Sequence, residues 1–96
     1  MIMSFGDSLT EDVYHGNQTR RVKRVPPFLT QAIVRKLDML NGADKLQDLL
    51  SPPGNRLEAL KGEREGYHSI RVNDQWRIVF RWHDGNAYGV SLIDYH

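Results

Sequence analysis

Seven consecutive residues constrain the fold of this chain more than any others. Trp76, Ile78, Phe80 and Trp82 alternate with Arg77, Val79 and Arg81, the period of two that sends successive side chains to opposite faces of a strand. A strand of this kind buries one face, so it belongs in an antiparallel sheet with another layer packed on its aromatic side. Asp84-Gly85 is a hairpin signal leading into a last strand from Tyr88 to Tyr95. Upstream, Ile70 and Val72 alternate with Ser69 and Arg71, and Asn73-Asp74 forms a tight turn. Leu57 and Ala59 alternate with Arg56 and Glu58, and the polar run from Lys61 to Gly66 joins these two strands.

The covering layer comes from the first half, where the period changes. Pro26-Pro27 opens a helix whose Leu29, Ile33, Leu37 and Leu40 form one apolar stripe, and Asn41-Gly42 ends it with a pair suited to left-handed backbone. Ile2-Met3-Ser4-Phe5 reads as a short first strand ended by Gly6-Asp7. Asp7 or Ser8 then caps a short helix through Val13 and Tyr14, stopped by Gly16. Asp44 caps a further short helix carrying Leu46, Leu49 and Leu50, terminated by Pro52-Pro53-Gly54, while Asn17 to Val25 reads as a mobile basic loop. The expected fold is α+β: one domain over residues 1–96, with a short N-terminal strand and helices packed on a C-terminal antiparallel sheet.

At 96 residues a single core carries everything, and folding buries only about 60–65% of the unfolded chain's surface, so a partner that covers some of the remainder is expected. Apolar residues at 40% and charged residues at 26% fit a globular chain. There is no cysteine, which excludes disulfides, thiolate zinc sites and cysteine nucleophiles and fits a reducing compartment. His15, His68, His83 and His96 lack metal-ligand spacing, and no phosphate loop or dinucleotide fingerprint occurs, so neither metal nor cofactor is expected. The first 25 residues hold no apolar run suited to a signal peptide or membrane span. A cytoplasmic location without a membrane partner is the expectation.

A net charge of +1 conceals segregation. Residues 1–16 carry Asp7, Glu11 and Asp12 and no base, whereas residues 17–36 carry Arg20, Arg21, Lys23, Arg24, Arg35 and Lys36 and no acid. Charge so divided steers an anionic partner. The sheet also spends strand positions on Arg56, Arg71, Arg77 and Arg81, which suit strands only when they face water or an anion. A guanidinium on a rigid strand holds phosphate in a fixed orientation. With Glu58, Lys61, Tyr67, Tyr95 and His96 as proton carriers and stacking faces, the inventory suffices for RNA cleavage without metal, because the substrate's own 2′-OH can attack the adjacent phosphate.

The segments Asn55-Arg56-Leu57-Glu58-Ala59-Leu60-Lys61-Gly62, Gly66-Tyr67-His68-Ser69-Ile70-Arg71-Val72-Asn73-Asp74-Gln75-Trp76-Arg77-Ile78 and Asp94-Tyr95-His96, in this order, resemble the HigB-type toxins, the plasmid-maintenance-killer branch of the RelE/ParE superfamily. The similarity runs along the whole chain and is weakest between residues 6 and 25. It implies a RelE-like fold and a ribosome-dependent mRNA endoribonuclease, neutralised by a HigA-type helix-turn-helix antitoxin and otherwise monomeric. Family active-site positions fall on Arg77, Lys61 and His96, with Tyr95 beside it, and Arg56 matches the arginine of the Asn-Arg-Leu motif. Glu58 stands where some relatives place histidine, and beside Arg56 and Lys61 it serves better as base than as acid. The RNA-contacting set adds Arg71 and the basic segment Arg20, Arg21, Lys23 and Arg24. Two other functions remain open on the sequence: a ParE-like gyrase inhibitor, and a noncatalytic RNA- or ribosome-binding module in which the arginines only contact phosphate. Strict alternation also places Asp94 and His96 on the face of Val90 and Leu92, away from Arg77, and a bulge near the end of the strand is expected to reconcile them.

Overall fold

The computed structural model describes residues 1–94; Tyr95 and His96, both expected at the site, lie outside the described residues. Four strands form one antiparallel sheet in sequential order: β1 (Glu58–Ala59), β2 (Tyr67–Arg71), β3 (Trp76–His83) and β4 (Asn86–Asp94). Helices α1 (Ser8–His15) and α2 (Pro27–Gly42) pack on one face. The α2 stripe Leu29, Ile33, Leu37 and Leu40 is buried against Ile78 and Phe80 of β3 and Val90 and Leu92 of β4. Period 3.6 on the helix thus meets period 2 on the sheet, as the two patterns require.

Local chemistry sets most boundaries. The Asp7 side chain accepts the Thr10 N–H at 2.8 Å and caps α1, and Gly16 ends it at φ 74°. Asp84 and Gly85 both take positive φ, 49° and 78°, the backbone that a two-residue hairpin turn demands. Asn73 Oδ1 accepts from the backbone N–H of Gln75 and Trp76, closing the β2–β3 turn.

Four local expectations are corrected. The N-terminal run is not a regular strand: Ile2 and Phe5 make isolated parallel bridges to Ala87 and Val90 along the free edge of β4. Helix α2 leaves through an extended Ala43 rather than a left-handed Gly42. The segment after Asp44 is a 3-10 helix, Leu46–Leu50, and Asp48, not Asp44, supplies the capping carboxylate, accepting the N–H groups of Asp44 and Lys45. Strand β1 is only two residues long, because Arg56 turns through left-handed backbone (φ 44°, ψ 55°) just before it.

The bulge exists, but upstream of where it was expected. Val79 pairs with Ser91 and Arg81 with Tyr88, so Phe80 faces both Gly89 and Val90, one extra residue on β4. Before the bulge Ala87 faces the core, and after it Val90 and Leu92 do. Asp94 stays opposite Trp76, so on the described residues the bulge leaves it on the core side of the sheet.

Candidate active site

The face of the sheet turned away from the helices carries the chemistry. Glu58, Ser69, Val79 and Ser91 pair across successive strands and form one row on this face. Arg77, two residues from Val79 and therefore on the same face, reaches diagonally over this row. Its Nε donates to Ser69 Oγ at 2.8 Å, and its Nη2 donates to the Arg56 carbonyl at 2.8 Å and to the Ser69 carbonyl at 3.4 Å. Glu58 Oε2 lies 4.0 Å from the same Nη2. Arg77 is 7% exposed, while Glu58 is exposed at the rim. The guanidinium therefore does not project outward as the alternation suggested. It is held in the wall of the site, its plane fixed by a serine and two carbonyls, with a carboxylate beside it. A cation whose orientation is set in advance stabilises developing negative charge with little reorganisation.

A second layer of contacts supports it. Asn55 is fully buried and closes the turn that presents the Arg56 carbonyl. Its Nδ2 donates to the carbonyls of Leu49 at 3.1 Å and Ser51 at 3.4 Å, and its Oδ1 accepts from Lys36 Nζ of α2. Burial holds the Lys36 ammonium below the usual lysine range, and the neighbouring charges of Arg35 and Arg71 lower it further. Lys36 of α2 thereby lies within electrostatic reach of Arg71 at the end of β2. Arg71 itself pairs with Asp74.

The other expected residues are distributed unevenly. Arg56 is exposed beside the cluster, and Lys61 is exposed at the start of the β1–β2 connection. The basic segment is on the helical side. Val22 and Val25 are buried, a 3-10 turn spans Val22–Arg24 against α1, and Asp12 gathers the segment by accepting from Thr19 Oγ1 at 3.0 Å and pairing with Arg21 Nε at 3.1 Å. These contacts tie the segment expected as a mobile loop to α1 through Asp12. They also set Arg20, Arg21, Lys23 and Arg24 apart from Arg77. Among the described residues no three His, Cys, Asp or Glu side chains are grouped to hold a metal ion. Sequence reasoning missed Ser69 and Asn55. The available signal for Ser69 was its register: a small hydroxyl residue in the strand beside an arginine strand leaves room for a guanidinium to lie over it.

The family model for the RelE-like toxin of the type II toxin–antitoxin system HigB matches residues 3–96. The chain is also 40% identical over 92 residues to Toxin HigB-1 of Vibrio cholerae serotype O1, covering 96% of this chain and 95% of that protein. The chain belongs to the HigB-like toxin family. As a type II toxin it has an antitoxin partner. A further relative of the toxin, Endoribonuclease HigB of Proteus vulgaris, is 51% identical over 41 residues, which is 43% of this chain and 45% of that one. Among solved structures, YafQ from Escherichia coli strain BL21(DE3) superposes with a TM-score of 0.66 at 14% identity, covering 98% of this chain and 93% of that chain. YoeB in its heterotetrameric complex with YefM from Staphylococcus aureus superposes at 0.61 and 18% identity, covering 100% and 98%. These two likenesses establish the α+β fold of the toxin. Among the described residues, no helix is long and apolar enough to cross a membrane.

Proposed function

We propose that this toxin is a ribosome-dependent mRNA endoribonuclease working in the cytoplasm, that it cleaves without metal, and that its antitoxin is of the helix-turn-helix HigA type. The observation that carries the reading is the Arg77 guanidinium, held by Ser69 and the Arg56 carbonyl with Glu58 4.0 Å away on the open face of the sheet. The endoribonuclease name of the Proteus vulgaris relative supports it.

In this mechanism Glu58 takes the proton of the 2′-OH, whose oxygen attacks the adjacent phosphorus. Arg77 stabilises the negative charge that builds on the phosphoryl oxygens. The bond to the 5′ oxygen then breaks, His96 protonates the leaving oxygen, and the products are a 2′,3′-cyclic phosphate and a 5′-hydroxyl. Lys61, Arg56 and Arg71 hold the flanking phosphates, and Tyr95 contacts the RNA beside His96. The test is mapping of mRNA 5′ ends after brief expression, with translation running and with it blocked. Cuts inside coding regions that vanish when ribosomes are cleared from the message are expected. Cuts that persist on naked RNA, or an uncut message in growth-arrested cells, overturn the reading.

A further inference from the structure

Beside Arg77 the open face continues into a groove of about 450 Å³ that the mechanism above does not use. Its floor is Val79 and Ile93, and Ile93 is the residue directly opposite Arg77 in the β3–β4 ladder. Tyr67 forms one wall. Gly89 of the bulge lines the groove at φ 60°, where a Cβ would lie in ordinary contact, 3.8–3.9 Å, with the Tyr67 hydroxyl and ring. The opposite wall is the N-terminal segment where it enters α1. Gly6 approaches β4 so closely that a Cβ on it would fall 2.2 Å from Ser91 Oγ.

The charges select the occupant. Asp7 and Glu63 line the groove against the single cation Arg64, so the lining is net acidic and repels phosphate, which has the arginine-rich rim next door. An apolar floor, an aromatic wall and carboxylate acceptors instead suit a flat, neutral ring with hydrogen-bond donors on its edge. One Asp7 oxygen is committed to the Thr10 N–H, and the other is available to accept. Together with the Ser91 hydroxyl these acceptors match an exocyclic amine, which cytosine, adenine and guanine carry and uracil lacks.

We propose that this groove, built by Tyr67, Val79, Ser91 and Ile93 with Asp7 at its mouth, holds one unpaired nucleobase next to the scissile phosphate and discriminates for bases bearing an exocyclic amine. The proposal rests on the reading of the toxin as an RNA-cleaving enzyme. It deepens that reading by assigning base selection to residues separate from the reacting groups.

The test needs no cleavage. The chain is titrated with cytidine 5′-monophosphate and with uridine 5′-monophosphate, which share ring size and charge and differ on one edge, where cytosine has an amine beside an accepting N3 and uracil a carbonyl beside an N3–H, while backbone amide shifts are followed by NMR. Shifts at Tyr67, Val79, Ser91 and Ile93 are expected, with cytidine monophosphate bound several-fold more tightly. Asp7→Asn keeps the helix cap and should erase that difference. Tyr67→Leu should weaken both nucleotides about 10-fold through lost stacking. Equal binding of the two nucleotides by the parent chain, or shifts that map outside the groove, overturns the proposal. A chain that binds as expected but leaves ribosome-bound mRNA intact removes the nuclease reading and leaves the base site standing. A chain that cuts mRNA but shows no groove shifts removes the base site alone.

Discussion

At the scale of single residues, Arg77 and Asn55 share one task from two sides of the Arg56 carbonyl. Arg77 donates to that carbonyl, and Asn55 holds the turn that presents it. The two differ in what their loss should do. Asn55→Ala leaves the Leu49 carbonyl and the Lys36 ammonium without their buried partner, so it should cost about 1–3 kcal/mol of stability, seen as a lower urea midpoint with an unchanged slope. An unchanged midpoint would show that the turn holds itself. Arg77→Lys keeps a positive charge but loses the planar fork that serves Ser69 and Arg56 together. It should recover little of the activity lost in Arg77→Ala, as read from growth inhibition at matched expression. Arg77 itself was legible as a site residue from its strand position and the family motif. Its burial was not, because alternation assigns a face without saying what covers it, and the cover comes from the long-range turn at Asn55-Arg56.

At the scale of elements, the regular parts followed from the sequence and the irregular parts did not. Strand β3, the hairpin at Asp84-Gly85 and the α2 stripe lie where periodicity puts them. The short ends depend on contacts distant in sequence. The N-terminal run reads as a strand, yet its pairing is decided by how closely Gly6 meets β4, 83 residues from Gly89 in number but adjacent in space. The bulge opposite Phe80 was expected nearer the end of β4, since one extra residue leaves almost no mark on a short apolar pattern. Segment 17–25 looked unanchored because Asp12, in the preceding helix, is its anchor. Gly6 supplies a prediction at this scale. Gly6→Ala places its methyl carbon 2.2 Å from Ser91 Oγ and 2.8 Å from the Gly89 carbonyl. The N-terminal segment must then lift from β4, and the variant should lose about 1–3 kcal/mol of stability in a thermal or urea melt. A fully stable variant would contradict the close approach.

At the scale of the molecule, charge is divided between two faces with different work. The open face gathers Arg77, Arg56, Arg71 and Glu58 around the proposed chemistry, and the helical side carries Arg20, Arg21, Lys23 and Arg24 on a segment anchored by Asp12. Cations distant from the reacting phosphate contribute to association through counterion release. Arg20→Gln combined with Lys23→Gln should therefore weaken ribosome binding and lower the salt slope of log K by about 1–2, while the saturated cleavage rate stays intact. A change in the saturated rate without a change in slope would put these residues in the chemistry after all.

The central claim is that the Arg77 guanidinium acts on the transition state and does more than position RNA. The direct measurement is single-turnover cleavage of ribosome-bound mRNA at saturating toxin, comparing the parent chain with Arg77→Ala after both are shown to be folded by their binding to the antitoxin. Loss of one such fixed donor is expected to slow the bound-state rate roughly 10²–10³-fold. An Arg77→Ala toxin that cleaves at the parent rate once bound would contradict the account.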